Sequence, residues 1–154
     1  MKLSKKCEYA LRALTRLNTA GALHVVSIQE LARQERIPKK FLEQVLLALK
    51  KAGILQSSRG KAGGYSMGVA PEDVSLGDII RAVDGPLQPL PCLNTTMPVK
   101  CADCVSLEHC WLRSVMAEVS AGLTTLLAQI SLADICHRAA LSEQQDGRAL
   151  TYHI

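Results

Sequence analysis

The sequence predicts a mostly α-helical protein that carries one small β-hairpin and one long helix towards its C-terminus. Hydrophobic residues make up 48% of the chain but aromatic residues only 3%, so the core must consist largely of Leu, Val, Ile and Ala. Such a composition favours helices over a β-sandwich. Apolar residues recur at spacings of three and four in several segments. A single glycine-rich segment separates two short runs that are typical of strands.

The first predicted helix runs from Ser4 to about Gly21. Ala10, Leu14 and Leu17 follow one another at spacings of four and three, so they share one face of this helix. The Ser4 hydroxyl can accept a hydrogen bond from a backbone N–H of the first turn, which makes Ser4 a suitable N-cap.

A pair of helices around a tight turn comes next. Ser27 and Glu30 form the pattern of a capping box at the start of a short helix, which runs to about residue 34. Residues 36–38, Arg-Ile-Pro, end it, and Pro38 suits the first position of a second helix that Gly53 terminates. The predicted buried residues of the second helix are Leu42, Val45, Leu46 and Leu49. The pattern is that of a helix-turn-helix.

A basic, glycine-rich hairpin follows the second helix. A short strand begins at Ile54, the segment SSRGKAGG forms the tip, and residues 65–67 form the return strand. A hairpin in this place is a wing. The alternative is a phosphate-binding loop, but neither G-x-x-x-x-G-K-[ST] nor G-x-G-x-x-G is present.

The rear of the chain is predicted to be helical, apart from one long loop. Ser75 and Asp78 mark the start of a helix over about 76–83, and a proline-rich loop covers 85–105. A long helix over about 107–129 carries an apolar stripe that a small winged unit cannot cover. We therefore expect it to pair with the same helix of a second chain, the alternative being packing on its own domain. Ser131 and Asp134 begin a last short helix.

Four regions follow from these elements. Residues 1–85 form the winged helix-turn-helix domain, and residues 86–106 a cysteine-rich loop. Residues 107–141 comprise the dimerisation helix and the short C-terminal helix, and residues 142–154 a flexible polar tail.

Charge is distributed unevenly along the chain. The net charge is +4, but residues 1–65 carry thirteen Lys/Arg against four Asp/Glu, whereas residues 66–154 carry five against ten. A basic front half suggests a module that binds a polyanion such as nucleic acid. A helix-turn-helix that binds only protein is the alternative.

Several classes of protein are disfavoured. The chain lacks a signal-peptide pattern and an apolar run long enough to span a bilayer, so we expect a cytoplasmic protein without a membrane partner. We find no Ser-His-Asp arrangement and no carboxylate pair with a plausible cleft, and the four histidines are scattered. We therefore expect neither an enzyme nor a small-molecule substrate.

Four of the six cysteines lie within the nineteen residues CLNTTMPVKCADCVSLEHC. In a reducing compartment, clustered cysteines serve more often as metal ligands or redox centres than as structural disulfides. Cys101 and Cys104 have a spacing typical of zinc ligands. Cys7 and Cys136 lie in predicted helices and are expected to pack as small apolar residues.

Several linked segments together resemble a known family. They are MKLSKKCEYALRAL, IPKKFLEQVLLALKKAGIL, SSRGKAGGY, SLGDIIRAVDGPL, and the cysteine segment followed by a long helix that closes in ISLADI. Over about residues 1–136 the chain resembles the Rrf family of iron–sulfur winged-helix transcription regulators, which includes IscR, NsrR and RirA. The resemblance implies a homodimer that binds partly palindromic promoter DNA.

The resemblance also implies which residues contact DNA. Glu43 and Gln44 would face base edges in the major groove, and Lys39 and Lys40 would meet phosphates or bases. Arg59 at the wing tip would reach an adjacent minor groove. Lys61 is a further DNA-binding candidate in the same basic tip.

By the same resemblance, the cysteine segment holds a [2Fe–2S] or [4Fe–4S] cluster that senses iron, redox state or nitric oxide. The family spacing assigns Cys92, Cys104 and Cys110 as ligands. Cys101 is an extra cysteine that could replace Cys92, supply the fourth ligand or act as a redox thiol. Glu8, from the partner chain, competes for the fourth position.

Two alternatives to a cluster remain. In one, Cys92, Cys101, Cys104 and Cys110 hold structural zinc in an all-thiolate site. In the other, no metal is bound and the thiols form regulatory disulfides.

Overall fold

The computed structural model describes residues 3–21, 24–60, 62–94, 96–104 and 106–149, and the side chains of these residues except 145–149. It confirms a mostly helical winged helix-turn-helix fold with one two-stranded antiparallel sheet. The elements are α1 (Lys5–Ala20), α2 (Ile28–Glu35), α3 (Lys39–Lys51), β1 (Leu55–Ser58), β2 (Gly64–Met67), α4 (Leu76–Asp84), α5 (Trp111–Ala128) and α6 (Leu132–Ala149). None of the helices in these described ranges is long and apolar enough to cross a membrane.

The main core lies between α1, α2, α3 and the hairpin. All four residues that the sequence places on the buried face of α3 are buried, as are Ala10, Leu14 and Leu17 of α1. The core is almost wholly aliphatic, as the composition predicts. Tyr9 of α1 meets Phe41 of α3 edge to face, with ring centroids 5.4 Å apart.

Local hydrogen bonds explain where the first helices begin and end. The Ser4 hydroxyl accepts from the N–H of Cys7 at 3.0 Å, so this predicted cap is confirmed. Ser27 accepts from the N–H of Glu30, but the Glu30 carboxylate bonds Arg33 and Gln34, so only half of the predicted capping box forms. Pro38 is the N-cap of α3 rather than its first helical residue, because its ψ of 125° lies outside the helical region.

The wing is a short, regular hairpin. Leu55 pairs with Met67 and Ser58 with Gly64, so the first strand begins one residue later than predicted. Val26 adds a third, isolated pairing: its N–H and C=O exchange 2.9 Å hydrogen bonds with Tyr65. A Cβ on Gly64 would lie 2.2 Å from the Val26 carbonyl oxygen, so only glycine permits this approach.

The starts of α4 and α6 are built alike and joined to each other. Ser75 and Asp78 form a reciprocal capping box on α4, and Ser131 and Asp134 form the same contacts on α6. The two segments form an antiparallel bridge, in which the N–H of Leu76 bonds Ile130 at 2.8 Å and that of Leu132 bonds Val74 at 2.7 Å.

Helix α6 returns the chain to the winged unit. It packs against α1, and Leu132 is fully buried in the main core. The helix continues to Ala149, so the predicted short helix ending at 141 and a tail beginning at 142 are wrong over residues 142–149. Glu, Gln, Arg and Ala in that stretch favour a helix, and their polarity does not distinguish a helix from a tail. Residues 150–154 lie outside the described residues, and the division into domains stays a prediction.

Helix α5 begins at Trp111, four residues later than predicted. The Ser106 hydroxyl accepts from the backbone N–H groups of Glu108 and His109, and the Leu107 carbonyl accepts from Arg113. These contacts give three backbone groups of residues 107–109 a hydrogen-bond partner without a helical turn. Of the 18 residues of α5, Leu127 alone is buried.

Candidate nucleic-acid interface and cysteine loop

The outward face of α3 carries the predicted base-reading residues. Lys39, Lys40, Glu43 and Gln44 are all exposed, on the side of the helix opposite its buried leucines. A helix presented in this way, with its core face anchored and its polar face free, has the diameter that the DNA major groove admits.

Leu47 lies on the same outward face and was not identified from the sequence. It follows Glu43 by four residues and Gln44 by three, so the three side chains are neighbours on the helix surface. Its exposed fraction is 48%. The signal was present in the run Val45-Leu46-Leu47, because three consecutive helical residues span about 200° around the axis and cannot all face the core.

The N-terminus of α3 is left open for an anion. No side chain caps it, no acidic residue lies in its first turn, and Lys39 and Lys40 are its first two residues. The positive end of the helix dipole and two ammonium groups therefore coincide, which favours a phosphate at this position.

The wing carries an exposed arginine at its tip. Arg59 is exposed directly after β1, at the tip of the hairpin. The tip turns tightly: a Cβ on Gly63 would lie 2.7 Å from the Ser58 carbonyl oxygen, so a side chain there would force the turn open. Lys61 lies outside the described residues.

An ion-pair cluster fixes α1 to the end of α2. The Glu35 carboxylate, only 12% exposed, accepts from Arg16 Nε at 2.8 Å and from Arg12 Nε at 3.3 Å. The hydrogen bond to Glu35 raises the pKa of Arg16, so this guanidinium stays charged. Because α2 supports α3, the cluster helps to hold the helix-turn-helix in position.

The cysteine loop, defined here as residues 85–110 between α4 and α5, spreads its four thiols over different environments. Cys92 is 2% exposed and lies in a single 3₁₀ turn, Pro91–Leu93. Cys101 is exposed, whereas Cys104 and Cys110 are half-buried. Cys110 is the residue that precedes α5.

The single chain does not assemble these thiols into a metal site. All six cysteines are free, and the described residues contain no group of three or more His, Cys, Asp or Glu side chains placed to hold a metal ion. The donor chemistry suits a cluster or zinc, since thiolates ligate both. Among the described residues, however, their arrangement does not form a complete site for either.

The loop is instead tied to α5 by hydrogen bonds. Arg113 donates from Nε to the Cys92 carbonyl and from Nη1 to the Leu107 carbonyl, both at 3.3 Å. Further along α5, the Ser120 hydroxyl donates to the Leu87 carbonyl at 2.8 Å. Arg113 was not identified from the sequence as a connection between the loop and α5.

Glu8 stands on α1, outside the cysteine loop. Its carboxylate bonds Lys5 at 2.6 Å and lies 4.0 Å from Arg12, with 43% of the side chain exposed. Within one chain it is a first-turn acid on a helix whose dipole favours it. Its exposure leaves the carboxylate accessible to a second chain.

The two remaining cysteines pack inside the protein, as predicted. Cys7 is fully buried, and burial, with the nearby Asp84 carboxylate, raises the pKa of its thiol to about 11. Burial likewise raises the pKa of Cys136. These shifts favour the protonated thiol over the reactive thiolate at both positions.

A family model matches this architecture and these segments. Residues 3–138 match the model of the Rrf2 family, described as an iron-dependent transcriptional regulator. An rrf2-like HTH-type transcriptional regulator of Rhodobacter capsulatus is 40% identical over 136 residues, which cover 86% of this chain and 91% of the relative.

Solved structures that share the fold include those of IscR and CymR. IscR of T. potens superposes with a TM-score of 0.65 at 29% identity, covering 90% of this chain and 88% of that one. CymR, described as the global cysteine regulator of B. subtilis, superposes with a TM-score of 0.67 at 25% identity, covering 90% of this chain and 98% of that one.

Proposed function

Because the chain belongs to the Rrf2 family of transcriptional regulators, we propose that it binds double-stranded promoter DNA as a homodimer and that its cysteine loop controls this binding. One observation carries the proposal most strongly. The outward face of α3 is free, begins at an uncapped positive helix end, and lies beside a wing that ends in Arg59. This arrangement suits a helix that reads the major groove.

Each exposed residue then has a distinct role. Lys39 and Lys40 contact phosphates and set the register of the helix on the duplex. Glu43 accepts from a cytosine amino group, and Gln44 makes two hydrogen bonds to an adenine. Arg59 enters the neighbouring minor groove, where the negative potential attracts a guanidinium.

The exposed apolar surface of α5 supports the homodimer. Trp111 is 77% exposed, and further large apolar side chains of α5 are 41–55% exposed. They are Leu112, Val115, Val119 and Leu126. A stripe of this length covers a partner's equivalent stripe in a two-fold interface.

We assign the control of DNA binding to an iron–sulfur cluster. Cys92, Cys104 and Cys110 would hold it, with Cys101 of the same chain or Glu8 of a second copy as the remaining ligand. The bound cluster would supply sensitivity to iron supply, oxidants or nitric oxide. The chain's own part is mechanical: the Cys92 carbonyl bonds Arg113 on α5, so a rearrangement of the loop acts directly on the long helix.

A second candidate is control by zinc or by the thiols themselves. The exposure of Cys101, three residues before the half-buried Cys104, favours it. An exposed thiol is open to oxidation.

DNA binding is tested by salt dependence with a matched pair of variants. Lys40→Ala should weaken binding to all duplexes and lower the salt slope by about one per subunit, because one phosphate contact is lost. Lys100→Ala removes an exposed lysine of the cysteine loop and should leave the slope unchanged. Equal slopes for both variants and the unmodified chain would exclude α3 from the interface.

Control is tested on protein purified without oxygen. Iron, sulfide and zinc are assayed with visible absorption, for the unmodified chain and for Cys92→Ala, Cys101→Ala, Cys104→Ala and Cys110→Ala. Brown protein that bleaches with three of these changes supports the cluster. Colourless protein with one equivalent of zinc supports the zinc site, and colourless metal-free protein supports the thiol switch.

A further inference from the structure

Leu47 is a large apolar side chain in the centre of a polar helix face. The core of α3 is complete without it, because Leu42, Val45, Leu46 and Leu49 fill the buried side. Leu47 is 48% exposed and therefore contributes little to that core. Something other than folding has to account for an apolar residue here, or it is one of the isolated exposed leucines that proteins tolerate.

Its neighbours argue against a protein-docking patch. Lys40 lies seven residues before Leu47 and Lys51 four residues after it, so both lie on the same ridge, and both are exposed. Glu43 and Gln44 lie one turn away. A single leucine enclosed by charged and polar groups is too small an apolar surface for a protein interface. The flanking lysines match a polyanion instead.

We propose that Leu47 is a specificity-determining residue that contacts the C5-methyl group of a pyrimidine in the major groove. This rests on the proposed function, since it requires α3 to enter that groove. Within the groove, the methyl of thymine is the one apolar group that a standard base presents. Gln44 and Glu43 offer hydrogen bonds to adjacent base pairs, and Leu47, between them on the surface, offers an apolar contact.

Two bases carry the same methyl group, thymine and 5-methylcytosine. Thymine is favoured because it is the base that carries this methyl group in unmodified DNA. The group that Leu47 would contact is the same in both bases, the C5-methyl. Duplexes that carry either base at the contacted position separate the two sources.

The probe is a duplex selected by the unmodified full-length chain from a random, unmethylated library, with metal-loaded and metal-free protein used in parallel. Each thymine of the selected site is then replaced in turn by deoxyuridine, which lacks only the methyl. At one position per half-site, the replacement should weaken binding about fourfold, as expected for one buried methyl group.

The assignment to Leu47 requires a double-mutant cycle. In Leu47→Ala, deoxyuridine at the same position should change affinity by less than about 1.5-fold, because the apolar partner is already gone. Leu47→Met should restore most of the sensitivity. Leu141→Ala removes a leucine of similar exposure, 45%, from α6 and should behave as the unmodified chain. Thermal melts check that all three variants stay folded.

The possible outcomes are distinct. A deoxyuridine effect that is equally large in Leu47→Ala, or no effect at any thymine, overturns the inference while the selected site still supports DNA binding. A library from which no sequence is enriched, with binding independent of α3 variants, overturns the proposed function and this inference together. Rescue when 5-methylcytosine replaces the base at the same position, with Leu47 present, would identify the methyl rather than the thymine ring as the contact.

Discussion

Helices α3 and α5 both carry an apolar stripe, but only the stripe of α3 is buried within the chain. Over 13 residues α3 buries four large side chains, whereas α5 buries one over 18 residues. The free face of α3 is polar apart from Leu47, whereas the free face of α5 is apolar. In α3 the apolar side is buried within the chain and the polar side is exposed to a charged ligand. In α5 the apolar side is exposed, so we expect it to pack against a second apolar surface.

The largest expected effect tests the buried side of α3. Leu46→Ala should lower the free energy of unfolding by roughly 2–5 kcal/mol, because a fully buried leucine leaves a cavity. Leu47→Ala, one residue along and 48% exposed, should cost less than about 0.5 kcal/mol. Urea unfolding measures both, and equal costs would contradict the assignment of the two faces.

The next effect tests the free side of α5. Val119→Glu should raise the dimer dissociation constant about 100- to 1000-fold, because it places an unpaired carboxylate in an apolar interface. Val69→Glu is the control, since Val69 is 42% exposed against 44% for Val119 and lies outside α5. Sedimentation equilibrium gives the constants. A Val119→Glu protein that dimerises normally would place the interface elsewhere.

A smaller effect tests the connection between the loop and α5. Arg113→Gln removes two hydrogen bonds from a charged donor, so the loop should open about tenfold more often. Alkylation of the buried Cys92 thiol in metal-free protein reports this opening. Arg138→Gln, an exposed arginine of α6, should leave the rate unchanged. An unchanged rate in Arg113→Gln would show that the loop is held by other contacts.

The smallest effect tests the capping box that holds α4. Hydrogen bonds from Ser75 lower the pKa of Asp78 below its ordinary value of 3.8. Because the folded pKa is the lower one, the box stabilises the fold above about pH 4 and loses that contribution as the pH falls further. Asp78→Asn should therefore cost about 1 kcal/mol at pH 7 and progressively less towards pH 2. Asp73→Asn, at an exposed aspartate outside the capping box, is the control, and an equal cost of the two variants in urea unfolding at pH 7 would contradict the role of the box.

Much of the winged unit could be predicted because its signals are local. The spacing of Leu42, Val45, Leu46 and Leu49 defines one helix face whatever packs against it, and Ser4 or Ser75 caps a helix through its own neighbours. The errors occurred where irregular side-chain-to-backbone hydrogen bonds determine where an element begins. Helix α5 starts late because Arg113 and Ser106 satisfy the turn before it, and no periodicity encodes those contacts.

In the candidate site, too, the residues on regular helices could be predicted and the arrangement of the loop could not. Exposure of Lys40, Glu43 and Gln44 follows from helical periodicity and is confirmed. Whether Cys92, Cys104 and Cys110 meet depends on the path of an irregular loop, and spacing along the sequence does not determine that path. The cysteine ligand set and the role of Glu8 therefore stay predictions, and the described residues contain no group of three donors placed to hold a metal ion.

The hydrogen bonds that join the starts of α4 and α6 attach the C-terminal end of the long helix α5 to the winged unit. Ile130 and Leu132, just beyond its C-terminal end, are bonded to Leu76 and Val74 in the winged unit. A helix of 18 residues is about 27 Å long, so a displacement of about 2.5 Å at Cys110 rotates α5 about its attached end by only about 5°. In a dimer that pairs two α5 helices, we expect a movement of the cysteine loop to alter the angle between the two winged units, with little change in their separation.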